Sequence, residues 1–319
     1  MIRALFTALV AGSAALAAAP SFAQGYPSAP ITVVIPLAPG DAADTAARAM
    51  SEELSRQLKT PIVVQNRPGA GGSIGVQAVT SARPDGYTIL FTQNGPLTIR
   101  RVFEPAAAGF DPLKELTPLA ITTRTPSILV ARRDAPFNTF EEMVAHAKRN
   151  PGGVRVGNAG PGSAGDVSVH IINAQAGTDM TSVPYKGAAP AVTDVLGGQV
   201  EGVILGLGAL SAHLRSGALK PIAISSPFPE LPNVPTLGKL GYKQDLLGVW
   251  LAFLAPSGVP AEVTRALMPA LERAAKSPAL AERLLPLGIA QDWVPADRLA
   301  ETITREYDTV SEISRKMKR

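Results

Sequence analysis

Residues 71–75, GGSIG, have the G-x-S-x-G spacing of a nucleophile elbow, in which an activated serine attacks an acyl carbon. His146, His170 and His213 all follow in the chain and could supply the base. An elbow turns directly from a strand into a helix, whereas the loop NRPGAGG separates the strand PIVVQ from Ser73. We therefore interpret Ser73 as the N-cap of the helix IGVQAVTSA and keep an exported serine hydrolase as the alternative function.

Residues 160–165, GPGSAG, match G-x-G-x-x-G between the apolar run VRVGNA and the helical pattern DVSVHIINAQA. A dinucleotide site would need an acidic residue about 20 residues further on, at the end of the next strand, and Asp179 comes too early. The glycines still let a ligand approach the backbone, and the first amides of a helix attract an anion. The loop is a candidate site for a carboxylate as readily as for a phosphate.

A second strand-to-helix loop, PLAPGDAAD at residues 36–44, follows the apolar run ITVVI. The positive end of a helix dipole at such a turn favours a bound anion. The loop nevertheless carries two acids, Asp41 and Asp44, which would repel an anionic ligand or else cap the helix themselves.

Metal and thiol chemistry have little support in the sequence. The chain contains no cysteine, which removes thiol nucleophiles, disulfides and cysteine-ligated metals together. None of the three histidines has a metal-ligating residue four positions on. We predict neither a metal nor a cofactor.

Residues 1–23 have the pattern of an export signal, with Arg3, an apolar middle and small residues before a cut near Ala23. A membrane anchor is the alternative, but the apolar segment is short for a bilayer of roughly 30 Å. The predicted location is the periplasm. The net charge of +4 is spread along a chain poor in aromatics, which argues against nucleic acid and is compatible with an anionic ligand.

Short apolar runs alternate with helical patterns along the chain, which is typical of an α/β protein with mainly parallel sheets. The predicted strands are ITVVIPL, PIVVQN, YTILFT, SILVARR, VRVGNA, TSVPYKG, VEGVIL, PIAISS, VWLAFLAP and IAQDWV. Residues 261–286 predict two helices broken around Ser277 and Pro278.

The mature chain exceeds the size at which one hydrophobic core usually stops growing, so we expect two lobes. No polar linker separates them, which suggests that the chain crosses between the lobes more than once. We place the crossings around residues 117–130 and 249–256. Lobe 1 is then 24–125 plus 249–319, and lobe 2 is 126–248. The Gly- and Pro-rich loops would lie at the carboxyl edges of the sheets, around a cleft.

Taken together, the loops resemble one family, the solute receptors of tripartite tricarboxylate transporters, or Bug proteins. The resemblance covers essentially the whole mature chain and rests on ordered matches: YPSAPITVVIPLAPG, VVQNRPGAGGSIGVQAV, RPDGYTIL, FDPLKELTPLA, VGNAGPGSAG, VPYKGAAPAVTDVLGGQVEG, LPNVPTLGKLGY and LAFLAPSGVP.

The resemblance implies a type II periplasmic binding protein fold, with two lobes that close like a flytrap on a small carboxylate. In the family, backbone groups and bridging waters hold the carboxylate between two loops, which here are Pro39 to Asp44 and Gly160 to Asp166. The implied partners are membrane transporter subunits, with a sensor kinase as a further candidate, and we expect a monomer. The predicted ligand-binding residues are Leu37, Pro39, Gly40, Asp41, Ala42, Asp44, Asn94, Gly160, Gly162, Ser163, Ala164, Gly165, Asp166, Lys186 and Leu205.

The sequence departs from the family pattern at three positions. Asp41 stands where glycine is usual, Asp166 where a histidine or similar polar residue is common, and Leu205 where many relatives carry an acidic or polar residue. Each aspartate either caps its helix or accepts a hydrogen bond from an amino or amide group of the ligand. The second reading would make the ligand an amino acid, an amide or another zwitterion.

Two further polar residues have alternative roles. Asn94 either donates to a ligand oxygen or shapes the turn before Gly95 and Pro96. Lys186 either pairs with a carboxylate or is a solvated turn residue. The sequence as a whole predicts a solute receptor without catalytic activity.

Overall fold

The computed structural model describes residues 25–37, 39 and 42–317. The predicted signal segment and the positions Gly40 and Asp41 lie outside the described residues. Within the described part of the chain, no helix is both long enough and apolar enough to cross a bilayer.

The strands alternate with helices as the sequence predicts. They are β1 (Ile31–Ile35), β2 (Ile62–Asn66), β3 (Thr88–Gln93), β4 (Leu116–Thr125), β5 (Ser127–Arg132), β6 (Arg155–Asn158), β7 (Thr181–Pro184), β8 (Gly202–Gly206), β9 (Leu219–Ile224), β10 (Val249–Pro256) and β11 (Ala290–Pro295).

The helices range from single turns to a long C-terminal helix. They are α1 (Ala42–Leu58), α2 (Ser73–Thr80), α3 (Asn94–Leu97), α4 (Ile99–Phe103), α5 (Pro105–Ala108), α6 (Pro112–Glu115), α7 (Phe140–Arg149), α8 (Ala164–Ala176), α9 (Ala188–Leu196), α10 (Leu207–Arg215), α11 (Ala261–Ala275), α12 (Pro278–Leu284) and α13 (Ala296–Met317). Short 3-10 turns cover Ala70–Gly72, Gly238–Leu240 and Leu285–Leu287.

The strands form two sheets. The first has the order β11-β4-β10-β3-β1-β2, and the second has the order β7-β6-β8-β5-β9. In the first sheet β1 pairs in parallel with β2 and β3, and in the second β6 pairs in parallel with β7 and β8. The chain leaves the first sheet at the end of β4, enters β5 of the second sheet after Pro126, and returns through β10. The α/β class is therefore confirmed. The expectation of mainly parallel sheets is wrong, because five of the nine strand pairs in the described part of the chain are antiparallel.

Strand β4 is not among the strands predicted from the sequence, because its residues were interpreted only as part of a crossing between the lobes. Both partners of β4 in the sheet, β10 and β11, come from the C-terminal part of the chain, and both run antiparallel to it. Its pairing is thus decided by residues more than a hundred positions away, which local periodicity does not reveal.

Each sheet buries both faces, which explains the continuous apolar runs of its strands. In β3, Ile89 and Phe91 enter one core, whereas Leu90 enters the core on the opposite face. Full burial of such a side chain contributes about 1.5–3 kcal/mol. A smaller apolar cluster joins the two sheets' helices, where Ile99 of α4 packs with Val167 of α8 and with α13.

The interpretation of Ser73 as an N-cap was wrong. The N-cap of α2 is Gly72, whose left-handed conformation (φ 100°) ends the preceding 3-10 turn, and Ser73 is already helical with φ −57° and ψ −36°. The Ser73 hydroxyl is buried and has no hydrogen-bond partner, so no histidine is in place to activate it.

Candidate functional site

A cavity of about 370 Å³ lies between the two sheets, at the edge where the parallel strands β3, β6 and β8 end. The strands that cross between the sheets reach the same edge, since Ser127 begins β5 and Val249 begins β10. The described residues that line it are Gly71, Gln93, Asn94, Gly95, Pro96, Ile99, Arg100, Phe103, Glu104, Ser127, Ala159, Gly160, Pro161, Gly162, Ser163, Ala164, Gly165, Ala188, Ile204, Leu205, Gly206 and Val249.

The Gly160–Gly165 loop forms the wall on the side of the second sheet. Each of its glycines occupies a position where a side chain would be strained or would clash. Gly160 and Gly162 have φ values of 137° and 68°, which side chains rarely adopt. A Cβ on Gly165 would lie 2.3 Å from the carbonyl oxygen of Ile204 in β8. The loop therefore brings the start of α8 directly against the end of β8.

The start of α8 presents unpaired backbone donors to the cavity. The hydroxyl of the N-cap residue Ser163 accepts a hydrogen bond from the Asp166 amide at 3.2 Å. The amides of Ala164 and Gly165 have no acceptor within the helix, and both residues line the cavity. This wall attracts a carboxylate through the amides and the positive end of the helix dipole.

Asp166 lies in this first turn, but its carboxylate is engaged within the protein. It accepts hydrogen bonds from the Gly162 amide at 2.8 Å and from the Ser182 hydroxyl at 2.5 Å. His170, one turn on, approaches within 3.8 Å. The residue is absent from the lining of the cavity, and these bonds favour the capping role over ligand contact.

The buried side chain of Asn158 completes the same network and was not singled out in the sequence. Its Oδ1 accepts from the Gly160 amide at 3.0 Å, and its Nδ2 donates to Ser182 Oγ at 2.9 Å. The signal for it was its position at the last residue of a buried strand, directly before the glycine loop.

The described residues of the loop after β1 and of the helix start that follows it are engaged within the protein or exposed. The Asp44 carboxylate is buried and accepts from Arg48 Nε at 3.0 Å and from Asn66 Nδ2 at 2.8 Å, while Asn66 also donates to the carbonyl oxygen of Leu37. Pro39 is exposed, and Ala42 is the first residue of α1. Leu37, Pro39 and Asp44 are not among the described lining residues.

Asn94 lines the cavity with its amide nitrogen already occupied. Nδ2 donates to the Gly248 carbonyl at 3.0 Å and to Glu306 Oε1 at 2.7 Å. Thr98 Oγ1 and Trp250 Nε1 donate to the same carboxylate, at 2.5 and 2.8 Å. Burial raises the pKa of Glu306, and the three hydrogen bonds oppose that rise. The side-chain donors of Asn94 thus hold the site together.

The remaining two predicted residues differ in position. Leu205 is buried at the end of β8, where it forms part of the cavity floor with Ile204. Lys186 is exposed and does not appear in the described lining.

Arg100 and Glu104 are the charged residues of the described lining, and neither was predicted from the sequence. Arg100 Nη2 donates to Glu104 Oε2 at 2.6 Å. The Arg100 guanidinium lies against Gly71, where a Cβ would be only 1.8 Å from Nη1. No candidate metal site of three or more clustered His, Cys, Asp or Glu side chains occurs among the described residues.

Two α/β lobes that are joined by crossing strands, with a cavity at their facing edges, define a two-lobed periplasmic binding protein. The comparison with known families is specific: the chain belongs to the tripartite tricarboxylate transporter family receptors, whose profile matches residues 46–317. It is a solute-binding receptor of that family. BugT of Bordetella pertussis is 32% identical over 308 residues, which span 94% of each chain.

Solved structures agree with this assignment. A TctC solute-binding protein from Polaromonas superposes with a TM-score of 0.82 at 26% identity, covering 91% of this chain and 99% of that one. MatC from Rhodopseudomonas palustris, solved with bound malate, gives a TM-score of 0.70 at 30% identity, covering 90% and 99%. A second R. palustris protein, solved with adipate, gives 0.75 at 25% identity, covering 91% and 97%.

Proposed function

We propose that this receptor binds a small carboxylate in the cavity between its two sheets and delivers it to the membrane subunits of a tripartite tricarboxylate transporter. The start of α8 supports the proposal most directly, because its free amides face a cavity of about 370 Å³. The relatives solved with malate and adipate carry ligands of this class.

The ligand would act by stabilising the closed arrangement of the lobes. Gly160–Gly165 belongs to the second sheet and Gln93–Pro96 to the first, so a ligand that touches both favours closure through contacts absent when the lobes are apart. A membrane partner then distinguishes the closed receptor from the open one. A sensor kinase would read the same difference.

The proposed setting is the periplasm, after removal of the segment that ends near Ala23, with the receptor acting as a monomer. An amino acid, an amide or another zwitterion is the alternative ligand class. Asp166 gives that alternative little support, because its carboxylate already accepts from Gly162 and Ser182.

A thermal-shift screen of the mature protein tests the proposal. The ligands are mono-, di- and tricarboxylates, aromatic acids, amino acids and the amides of each acid. A ligand present at 100 times its Kd stabilises a receptor by about 2.7 kcal/mol. At about 2–4 °C per kcal/mol for a chain of this size, that raises Tm by roughly 5–11 °C. We expect a carboxylate to produce this shift and its amide to produce none. Shifts with amides or neutral solutes, and none with any acid, would refute the proposal.

A further inference from the structure

Steric fit, as well as charge, positions the Arg100 guanidinium in the cavity wall. Gly71, with φ 59°, leaves room for it, since any Cβ at that position would overlap Nη1 and Cζ. The Nε atom is buried and has no hydrogen-bond partner. The glycine-rich segment before α2, which resembles a nucleophile elbow in sequence, thus serves to admit a cation to the cavity.

Among the described residues, Glu104 is the only ion-pair partner of the Arg100 guanidinium, and the pair is weak. Glu104 lies one turn beyond Arg100, at the end of α4, and its side chain is 52% exposed, against 23% for Arg100. Exposed pairs of this kind contribute about 0.2–1 kcal/mol. A ligand carboxylate that is enclosed between the lobes would compete for the guanidinium under less screening by water.

The described lining also contains large apolar side chains. Phe103 packs so close to the second lobe that a Cβ on Gly162 would lie 3.4 Å from its ring, and Ile204 and Leu205 form the floor. Among the described residues, the cavity therefore offers amide donors at the start of α8, apolar side chains, and one cation, Arg100, on the other lobe.

We propose that Glu104 occupies the place of a ligand carboxylate in the empty receptor, and that a ligand with a second carboxylate displaces it from Arg100 on binding. This inference rests on the proposed function, with the first carboxylate at the start of α8. Arg100 then selects acids that have two carboxylates separated by a hydrocarbon body. Glu104 lowers their affinity and holds the cation in position until they arrive.

The experiment compares α,ω-dicarboxylates of four to eight carbons with the monocarboxylates of equal length, by isothermal titration calorimetry. Glu104→Gln should tighten binding of the best dicarboxylate about 1.4- to fivefold, which is the pair's contribution converted at about 1.4 kcal/mol per tenfold. Arg100→Gln should weaken binding of the same dicarboxylate at least tenfold and change the affinity for the matching monocarboxylate less than twofold. Arg100→Lys keeps the positive charge but loses the planar, two-pronged donor geometry of the guanidinium, so its affinity for the dicarboxylate should be intermediate.

Arg101→Gln is the matched control. It makes the same change in net charge on the same helix, but Arg101 lies over the ring of Tyr307, outside the described lining of the cavity. We expect Arg101→Gln to change the affinity for both classes of ligand by less than twofold. The melting temperature of each variant confirms that it is folded.

The inference is overturned by equal losses of affinity for both ligand classes with Arg100→Gln, by weaker dicarboxylate binding with Glu104→Gln, or by amino acids that bind best and lose affinity with Glu104→Gln. The last result would make Glu104 an acceptor for a ligand ammonium. If the unmodified receptor binds no carboxylate at all, the proposed function itself fails. If it binds carboxylates but the variants change nothing, only the role of Arg100 and Glu104 fails.

Discussion

Replacing Glu306 by alanine should destabilise the receptor, although the residue lies outside the ligand cavity. Its carboxylate accepts hydrogen bonds from Asn94 Nδ2, Thr98 Oγ1 and Trp250 Nε1. These donors belong to α3, to the turn after it and to the crossing strand β10. A single side chain of the C-terminal helix therefore links α3, the turn after it and the crossing strand β10.

The magnitude follows from what each donor would lose. The indole of Trp250 is buried and Glu306 is its hydrogen-bond partner, so the substitution leaves it unsatisfied at a cost of about 1–3 kcal/mol. Asn94 keeps Gly248 and Thr98 keeps the Asn94 carbonyl, so together they lose about 1 kcal/mol. The sum is about 2–4 kcal/mol, or a fall in Tm of roughly 4–16 °C.

Circular dichroism melting of the ligand-free protein measures this fall. Glu301→Ala is the matched control on the same helix, because Glu301 is exposed and pairs with Arg298 at the surface. Exposed pairs contribute at most about 1 kcal/mol, so its Tm should drop by no more than about 4 °C. If Glu306→Ala melts within 2 °C of the unmodified protein, the reasoning about the three donors is wrong.

Two further predictions concern pH and packing. Because burial raises the folded-state pKa of Glu306, the folded protein keeps this proton to a higher pH than the unfolded chain does. The contribution of Glu306 to the free energy of unfolding therefore falls as pH rises above about 4.3. Glu306→Gln lacks this titration, so urea titrations between pH 4 and 8 should show a smaller loss of stability for the variant. If both proteins have the same pH slope, Glu306 does not titrate in this way. Gly165→Ala places a methyl 2.3 Å from a carbonyl oxygen, so it should lower the stability by about 1–3 kcal/mol and weaken carboxylate binding. Gly95→Ala is the control and should change Tm little, because its Cβ would meet nothing nearer than 3.9 Å. Equal changes in Tm for the two variants in calorimetric scans would contradict the steric argument.

Elements with a strong local pattern could be predicted from the sequence. The break at Ser277 and Pro278 does separate two helices, Ala261–Ala275 and Pro278–Leu284, because Pro278 starts the second helix, where a missing backbone N–H costs no intrahelical hydrogen bond. The glycine loop before α8 could also be recognised, since left-handed positions and close approaches require glycine whatever the distant contacts are.

Residues whose role depends on a partner far along the chain could not be assigned in this way. Arg100 looks like an ordinary surface cation until Gly71 is placed beneath it, and Asn94 looks like a ligand donor until Glu306, 212 residues away, is placed behind it. Asp166 likewise appears free to meet a ligand until Ser182 is placed beside it.

The sequence by itself determined the α/β class, most of the strands and the anion-attracting start of α8, because these follow from local periodicity, turn chemistry and the unsatisfied amides of a helix end. Only the tertiary structure decided which charges face the cavity. The fold turned Asp166 inward onto its own loop and brought Arg100 and Glu104 to the lining, since the direction of a side chain depends on the packing around it.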